Sequence, residues 1–113
     1  MLPVIGDEIY VPLRQTVEYG YEDSVTIGYD NGVITLSSEY FPGFGTLALT
    51  VDSGTAYADG QAVNIAPVVK IDNVTYVSAS TFEDIFGWTF EYASYDMLEY
   101  DYYYEFFTEK YYD

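Results

Sequence analysis

Apolar and polar residues alternate with a period of two near the end of this chain. Leu98, Tyr100, Tyr102, Tyr104 and Phe106 hold one set of positions, and Glu99, Asp101 and Glu105 hold the other. That period belongs to a strand with one wet face. Strands are also predicted over Ser24–Tyr29 and Val33–Ser37, joined at Asp30-Asn31-Gly32, because Asn-Gly tolerates the positive φ values of a type I′ turn. A meander follows over Thr46–Val51, Thr55–Ala58 and Gln61–Ile65, turning at Asp59-Gly60; Pro67 breaks it before Val68–Ile71. Trp88–Tyr92 is expected to turn through Ala93–Asp96 and return as Leu98–Phe106.

The pattern occurs twice. Ile5-Gly-Asp-Glu-Ile-Tyr10-Val11-Pro12-Leu13 has a counterpart 66 residues later in Ile71-Asp-Asn-Val-Thr-Tyr76-Val77-Ser78-Ala79, and each copy reaches a Gly-aromatic pair, Gly20-Tyr21 or Gly87-Trp88. The β-branched and aromatic residues around Tyr10 and Tyr76 favour strands, and a short helix follows each. Pro12 is expected in the first turn of the first helix, with Leu13, Thr16 and Val17 on its apolar face. In the second, Ser80-Thr-Phe-Glu83 reads as a capping box, Phe82, Ile85 and Phe86 as the apolar stripe. Gly20 and Gly87 are placed as the left-handed residues that end the helices. The predicted fold class is α+β: mainly antiparallel sheet with two short helices and an internal strand-helix-strand-hairpin repeat. Residues 1–113 form one domain, with pseudo-repeats at about 4–37 and 70–107 joined by the meander 46–65.

Charge narrows the function. The chain carries 19 acidic residues against 3 basic ones, a net charge of -16 over 113 residues. With Arg14, Lys70 and Lys110 as the only cations, nucleic acid is excluded as a partner, since phosphate binding needs many Lys and Arg. Half of the residues are apolar and 20% aromatic, so the chain has the means to fold. No His and no Cys are present, which removes the usual general base, zinc or copper ligands, catalytic dyads and disulfides. No run approaches the roughly 20 apolar residues of a membrane span, and the first residues lack the basic and apolar regions of a signal peptide.

Tyr10-Val-Pro-Leu-Arg14 with Glu18 and Gly20-Tyr21, and Ala66-Pro-Val-Val-Lys-Ile-Asp-Asn-Val-Thr-Tyr76-Val77 with Gly87-Trp88, resemble the copper amine oxidase N-terminal-like domain. The hairpin Thr55–Ile65 around Asp59-Gly60 fits that pattern too, although the second copy has Val77-Ser-Ala-Ser80 where Val-Pro-Leu-Arg is usual. The resemblance implies a non-catalytic module of secreted and cell-wall proteins, hence an extracellular or cell-surface location. It does not imply amine oxidation, for which the histidine copper ligands and an Asn-Tyr-Asp/Glu cofactor site are missing.

Each candidate site has a plain structural reading. Arg14 and Glu18 are spaced i, i+4, so a pair within the chain outweighs anion binding. Asp30-Asn31-Gly32, Asp59-Gly60 and Asp72-Asn73 carry hard oxygen ligands, but none has calcium-loop spacing, which makes them hairpin turns. Glu22-Asp23 and Glu83-Asp84 are adjacent carboxylates that point apart and make a poor acid-base pair. Tyr10, Tyr76, Phe82 and Trp88 are expected core. The excess lies in the tail, where Leu98, Tyr100, Tyr102, Tyr103, Tyr104, Phe106 and Phe107 offer rigid, adhesive contact area. The expected function is therefore contact without catalysis: a structural or assembly module meeting other subunits, identical copies included, in a filament or surface layer, with no cofactor and no metal. The alternative is a cell-wall glycan binder using exposed aromatic rings.

Overall fold

A computed structural model describes residues 2–21, 25–94 and 102–107. Its elements are β1 (Val4–Ile5), β2 (Glu8–Pro12), α1 (Leu13–Tyr21), β3 (Thr26–Asp30), β4 (Val33–Ser37), β5 (Thr46–Thr50), β6 (Thr55–Ala58), β7 (Gln61–Asn64), β8 (Val69–Ile71), β9 (Val74–Ser78), α2 (Ala79–Phe86), β10 (Thr89–Ser94) and β11 (Tyr102–Phe107). They form a four-stranded sheet, β1-β2-β9-β8, a five-stranded meander, β3-β4-β5-β6-β7, and a two-stranded ribbon, β10-β11. All strand pairs are antiparallel, with one parallel bridge between Val51 and Val68. The fold is thus α+β, as the sequence predicts.

The 66-residue offset governs the register of the four-stranded sheet. Ile5 opposes Glu8 in the first copy and Ile71 opposes Val74 in the second, each pair closing a tight turn. Where the copies meet, β2 pairs with β9 so that Val11 faces Val77. These are equivalent positions, so a local pseudo-two-fold axis passes between them; Tyr10 faces Ser78 and Pro12 faces Tyr76 on either side. Both valines are almost completely buried.

The meander buries one face. Ile34 lies opposite Leu49 and Leu36 opposite Leu47, all four deeply buried, as alternation requires of a sheet with one face on the core. Its hairpins turn at Asn31-Gly32 (φ 51° and 80°) and Asp59-Gly60 (φ 48° and 86°), the paired positive values of a type I′ turn. The segment Ser38–Gly45 between β4 and β5 contributes to the core: Phe41 is buried and stacks on Phe86 with ring centroids 4.6 Å apart. Phe82, Phe86 and Trp88 complete the cluster, with Phe82 and Trp88 5.5 Å apart.

The helix ends differ from the sequence expectation. The N-cap of α2 is Ser78, whose side chain accepts the Thr81 N–H at 3.2 Å. Ser80 instead donates its hydroxyl to Glu8, and Glu83 is an exposed residue outside any capping box. The cap falls earlier because the helix starts directly where β9 ends. Pro12 is the residue equivalent to Ser78, so it closes β2 opposite Tyr76 rather than opening the first helical turn. Thr16 on α1 bonds back to the Pro12 carbonyl at 2.7 Å. Gly87 does end α2, in the left-handed region at φ 72°, with its N–H on Glu83 O and the Trp88 N–H on Phe82 O. Gly20 does not end α1, which continues to Tyr21. Leu13 and Val17 are buried as predicted.

Tyr10 is buried and donates its hydroxyl to the Pro67 carbonyl at 2.8 Å. Burial raises its phenol pKa, and the nearby Glu8 charge adds to the rise. Since the folded phenol holds its proton more tightly than the unfolded one, this residue stabilises the fold equally at all pH values below about 10. The contribution is lost as pH rises beyond that, through the raised folded value. Tyr10→Phe should lower stability at neutral pH by about 1–3 kcal/mol, by orphaning a carbonyl, and should flatten the alkaline decline in denaturant titrations between pH 8 and 11. Ser78→Ala should cost about 1–2 kcal/mol and Glu83→Ala less than about 0.5 kcal/mol; the reverse order would restore the capping box.

Candidate functional site

Two features stand out as places for contact. The first is an open groove of about 600 Å³ along α1. The register at Val11 and Val77 creates it, because antiparallel pairing carries the Asp72-Asn73 turn of the second copy alongside the start of α1 in the first. Asp72 and Asn73 adopt φ values of 50° and 67°, so this pair is a hairpin turn. Arg14 and Glu18 form one wall, Asn73 and Val74 another, and the β3–β4 hairpin supplies Ile34 and Tyr29. Tyr29 is 63% exposed.

Arg14 Nη1 lies 2.9 Å from Glu18 Oε1, with the two side chains 68% and 48% exposed. The pair predicted from the i, i+4 spacing is present. Held in water, it contributes little, as exposed helical pairs do. Its chemical meaning is positional: it sets a planar donor group at the rim of the groove. Tyr29 was not singled out in the sequence, although the Asp30-Asn31-Gly32 turn signal beside it locates the hairpin that presents it. No sequence signal brings the Asp72-Asn73 turn to the same groove, since that depends on pairing between halves 66 residues apart.

The second feature is the ribbon. β10 and β11 pair in a register that sets Thr89 opposite Phe107, Tyr92 opposite Tyr104 and Ser94 opposite Tyr102. The expected return strand is therefore present over Tyr102, Tyr103, Tyr104, Phe106 and Phe107. Leu98 and Tyr100 lie outside the described residues, as do Glu22 and Asp23. Ala93, expected in the turn, belongs to β10. The ribbon is joined to the body through Trp88, which packs on Phe82 and Phe86 of α2, and Phe90, which is half-buried against the core. Among the described residues neither of its strands pairs with a strand of the other two sheets.

The remaining motif residues serve the scaffold. Tyr10 and Trp88 are core, Tyr76 is half-buried beside Pro12, and Gly87 is a helix cap. The Asp59 carboxylate accepts the Gly45 and Thr46 N–H groups at 3.0–3.2 Å, fastening the β6–β7 turn to the start of β5. No three His, Cys, Asp or Glu side chains converge to hold a metal among the described residues. With no imidazole or thiol in the chain, a copper site built on such ligands has no donors here. Among the described residues no helix is long and apolar enough to cross a membrane.

The Arg14–Glu18 pair, being solvated, should matter little to folding. Arg14→Ala is expected to change the unfolding free energy by less than about 0.5 kcal/mol, a difference that shrinks further in high salt. Urea titration of the two proteins at low and high ionic strength checks this.

A family model for the copper amine oxidase N-terminal domain matches residues 2–96, which include both copies of the Tyr-Val motif, the meander and both helices. No curated protein and no solved structure matches the chain.

Proposed function

Because this chain belongs to the copper amine oxidase N-terminal domain family, a non-catalytic module, we propose that it works at the cell surface or outside the cell by holding protein subunits together. The contact element in this reading is the β10–β11 ribbon. One observation carries it: the ribbon stands as a separate two-stranded sheet among the described residues, while its counterpart β3–β4 is embedded in five strands. A two-stranded hairpin is marginal in water and gains stability when a third strand or a packed surface completes it. The aromatic-rich sequence of β11 suits that role, with area and rigidity in few rotatable bonds.

The groove along α1 favours a second reading, glycan binding. An exposed Tyr29 ring beside the polar groups of Arg14, Gln15, Glu18 and Asn73 is the pairing of a stacking surface with hydroxyl partners that a sugar needs. Tyr29→Ala would then abolish binding on a glycan array without altering association, whereas an array with no hits removes this reading.

The assembly reading makes a prediction about salt. At a net charge of -16, copies repel one another, and the screening length falls from about 30 Å at 10 mM salt to about 8 Å at 150 mM. Light scattering on the full chain should show association that grows with protein concentration and with salt over this range. A monomer at every concentration, or association that weakens as salt rises, would refute the proposal.

A further inference from the structure

The two copies end in equivalent hairpins that differ in what lies beside them. In the first copy, β4 has β3 on one edge and β5 on the other, antiparallel, with Val33 opposite Thr50 and Ser37 opposite Thr46. In the second copy, β11 has β10 on one edge and, among the described residues, no strand on the other. We propose that this outer edge of β11 is a strand-addition site, and that its occupant is β11 of a second copy of the chain. Two ribbons would then form one continuous antiparallel sheet in the order β10-β11-β11-β10 across a two-fold axis. The inference rests on the assembly reading and specifies its geometry.

The nature of the occupant follows from the first copy. The edge equivalent to this one takes an antiparallel strand, and an edge strand presents a row of N–H and C=O groups that such a strand satisfies without distortion. Its identity follows from self-complementarity. Across a two-fold axis normal to the sheet, opposed residues share a face, so β11 meets its copy only at positions an even number of residues apart. Of the two longest such registers one sets Glu105 against Glu105, and the other sets Tyr102 opposite Phe106, Tyr103 opposite Glu105 and Tyr104 opposite Tyr104. In this second register every opposed pair contains an aromatic residue, and no acid meets an acid. Within one chain the outcome is less favourable, because the ribbon register sets Glu91 opposite Glu105. The edge strands of the four-stranded sheet, β1 and β8, have two and three residues, too few to cover the six of β11.

A two-fold contact uses the same surface on both partners and closes on itself. Pairing through β11 therefore yields a dimer, and a filament requires a second, different contact.

The chain has no cysteine, so introduced thiols report on this register alone. In the variant Tyr104→Cys, each thiol faces its own counterpart across the axis. Opposed strand residues have Cα atoms about 4.5–5.5 Å apart, within disulfide reach, whereas a register shifted by two residues displaces them by about 7 Å along the strand and takes them out of reach. Oxidation of the full-length variant should give a covalent species that stops at dimer on a non-reducing gel. The variants Tyr103→Cys and Phe106→Cys, whose thiols oppose Glu105 and Tyr102 of the second copy, should give far less. The double variant Tyr102→Cys/Phe106→Cys, whose thiols oppose each other across the axis, tests the same register if circular dichroism shows that Tyr104→Cys disturbs folding. If the chain associates in light scattering while neither Tyr104→Cys nor Tyr102→Cys/Phe106→Cys cross-links above the control variants, strand addition is wrong and the assembly reading survives. If the chain stays monomeric throughout, both fall.

Discussion

The antiparallel pairing of β2 with β9 is the constraint on which the rest of this molecule depends. Val11 and Val77 face each other at its centre, nearly inaccessible to water, so the two copies of one sequence motif are held by their own equivalent residues. A slip of one position would turn the side chains of one strand to the opposite face and part the two valines, which fixes the register strongly. The Tyr10 hydroxyl ties the same joint to the Pro67 carbonyl at the approach to β8.

From this joint the two helices start directly. Each begins at the residue after its strand, Leu13 after Pro12 and Ala79 after Ser78, and the equivalence shows in chemistry as well as position. A proline, which needs no amide partner, and a serine, which supplies a hydroxyl to the Thr81 amide, are two solutions to ending a strand and opening a helix in one step. The copies then diverge. The first continues into β5, β6 and β7, while the second continues into the aromatic-rich ribbon. Duplication thus leaves one hairpin buried in a wide sheet and its equivalent at the margin.

The chemistry available matches a protein that touches rather than transforms. Without imidazole or thiol, and with no convergent metal-ligating cluster among the described residues, the functional capacity lies in surfaces. Its acidic surface opposes close approach of like copies, so a specific contact must supply directional hydrogen bonds and aromatic area enough to outweigh repulsion. A strand edge supplies the first and a run of Tyr and Phe the second.

Much of the fold was legible in residue order because its signals are local. The Asn31-Gly32 and Asp59-Gly60 turns, the alternation that buries Ile34, Leu36, Leu47 and Leu49, the Arg14–Glu18 pair and the Gly87 cap each depend on residues within a few positions of one another. The repeat, and with it the family, was equally legible as a pattern recurring after 66 residues. Local signals also misled where two adjacent solutions competed: Ser78 and Ser80 are both plausible caps, and the end of β9 decided between them; Gly20 resembles a helix stop, yet α1 runs past it.

What the tertiary structure alone decided is whatever depends on distant segments meeting. The facing of Val11 and Val77, the entry of Phe41 into the core against Phe86, the groove shared by α1 and the Asp72-Asn73 turn, and the separation of the ribbon from both larger sheets belong to this class. The sequence determined the elements, because hydrogen bonding and side-chain periodicity act over a few residues. The pairing of those elements came from burial of their apolar faces against one another, a property of the whole chain that no single segment carries.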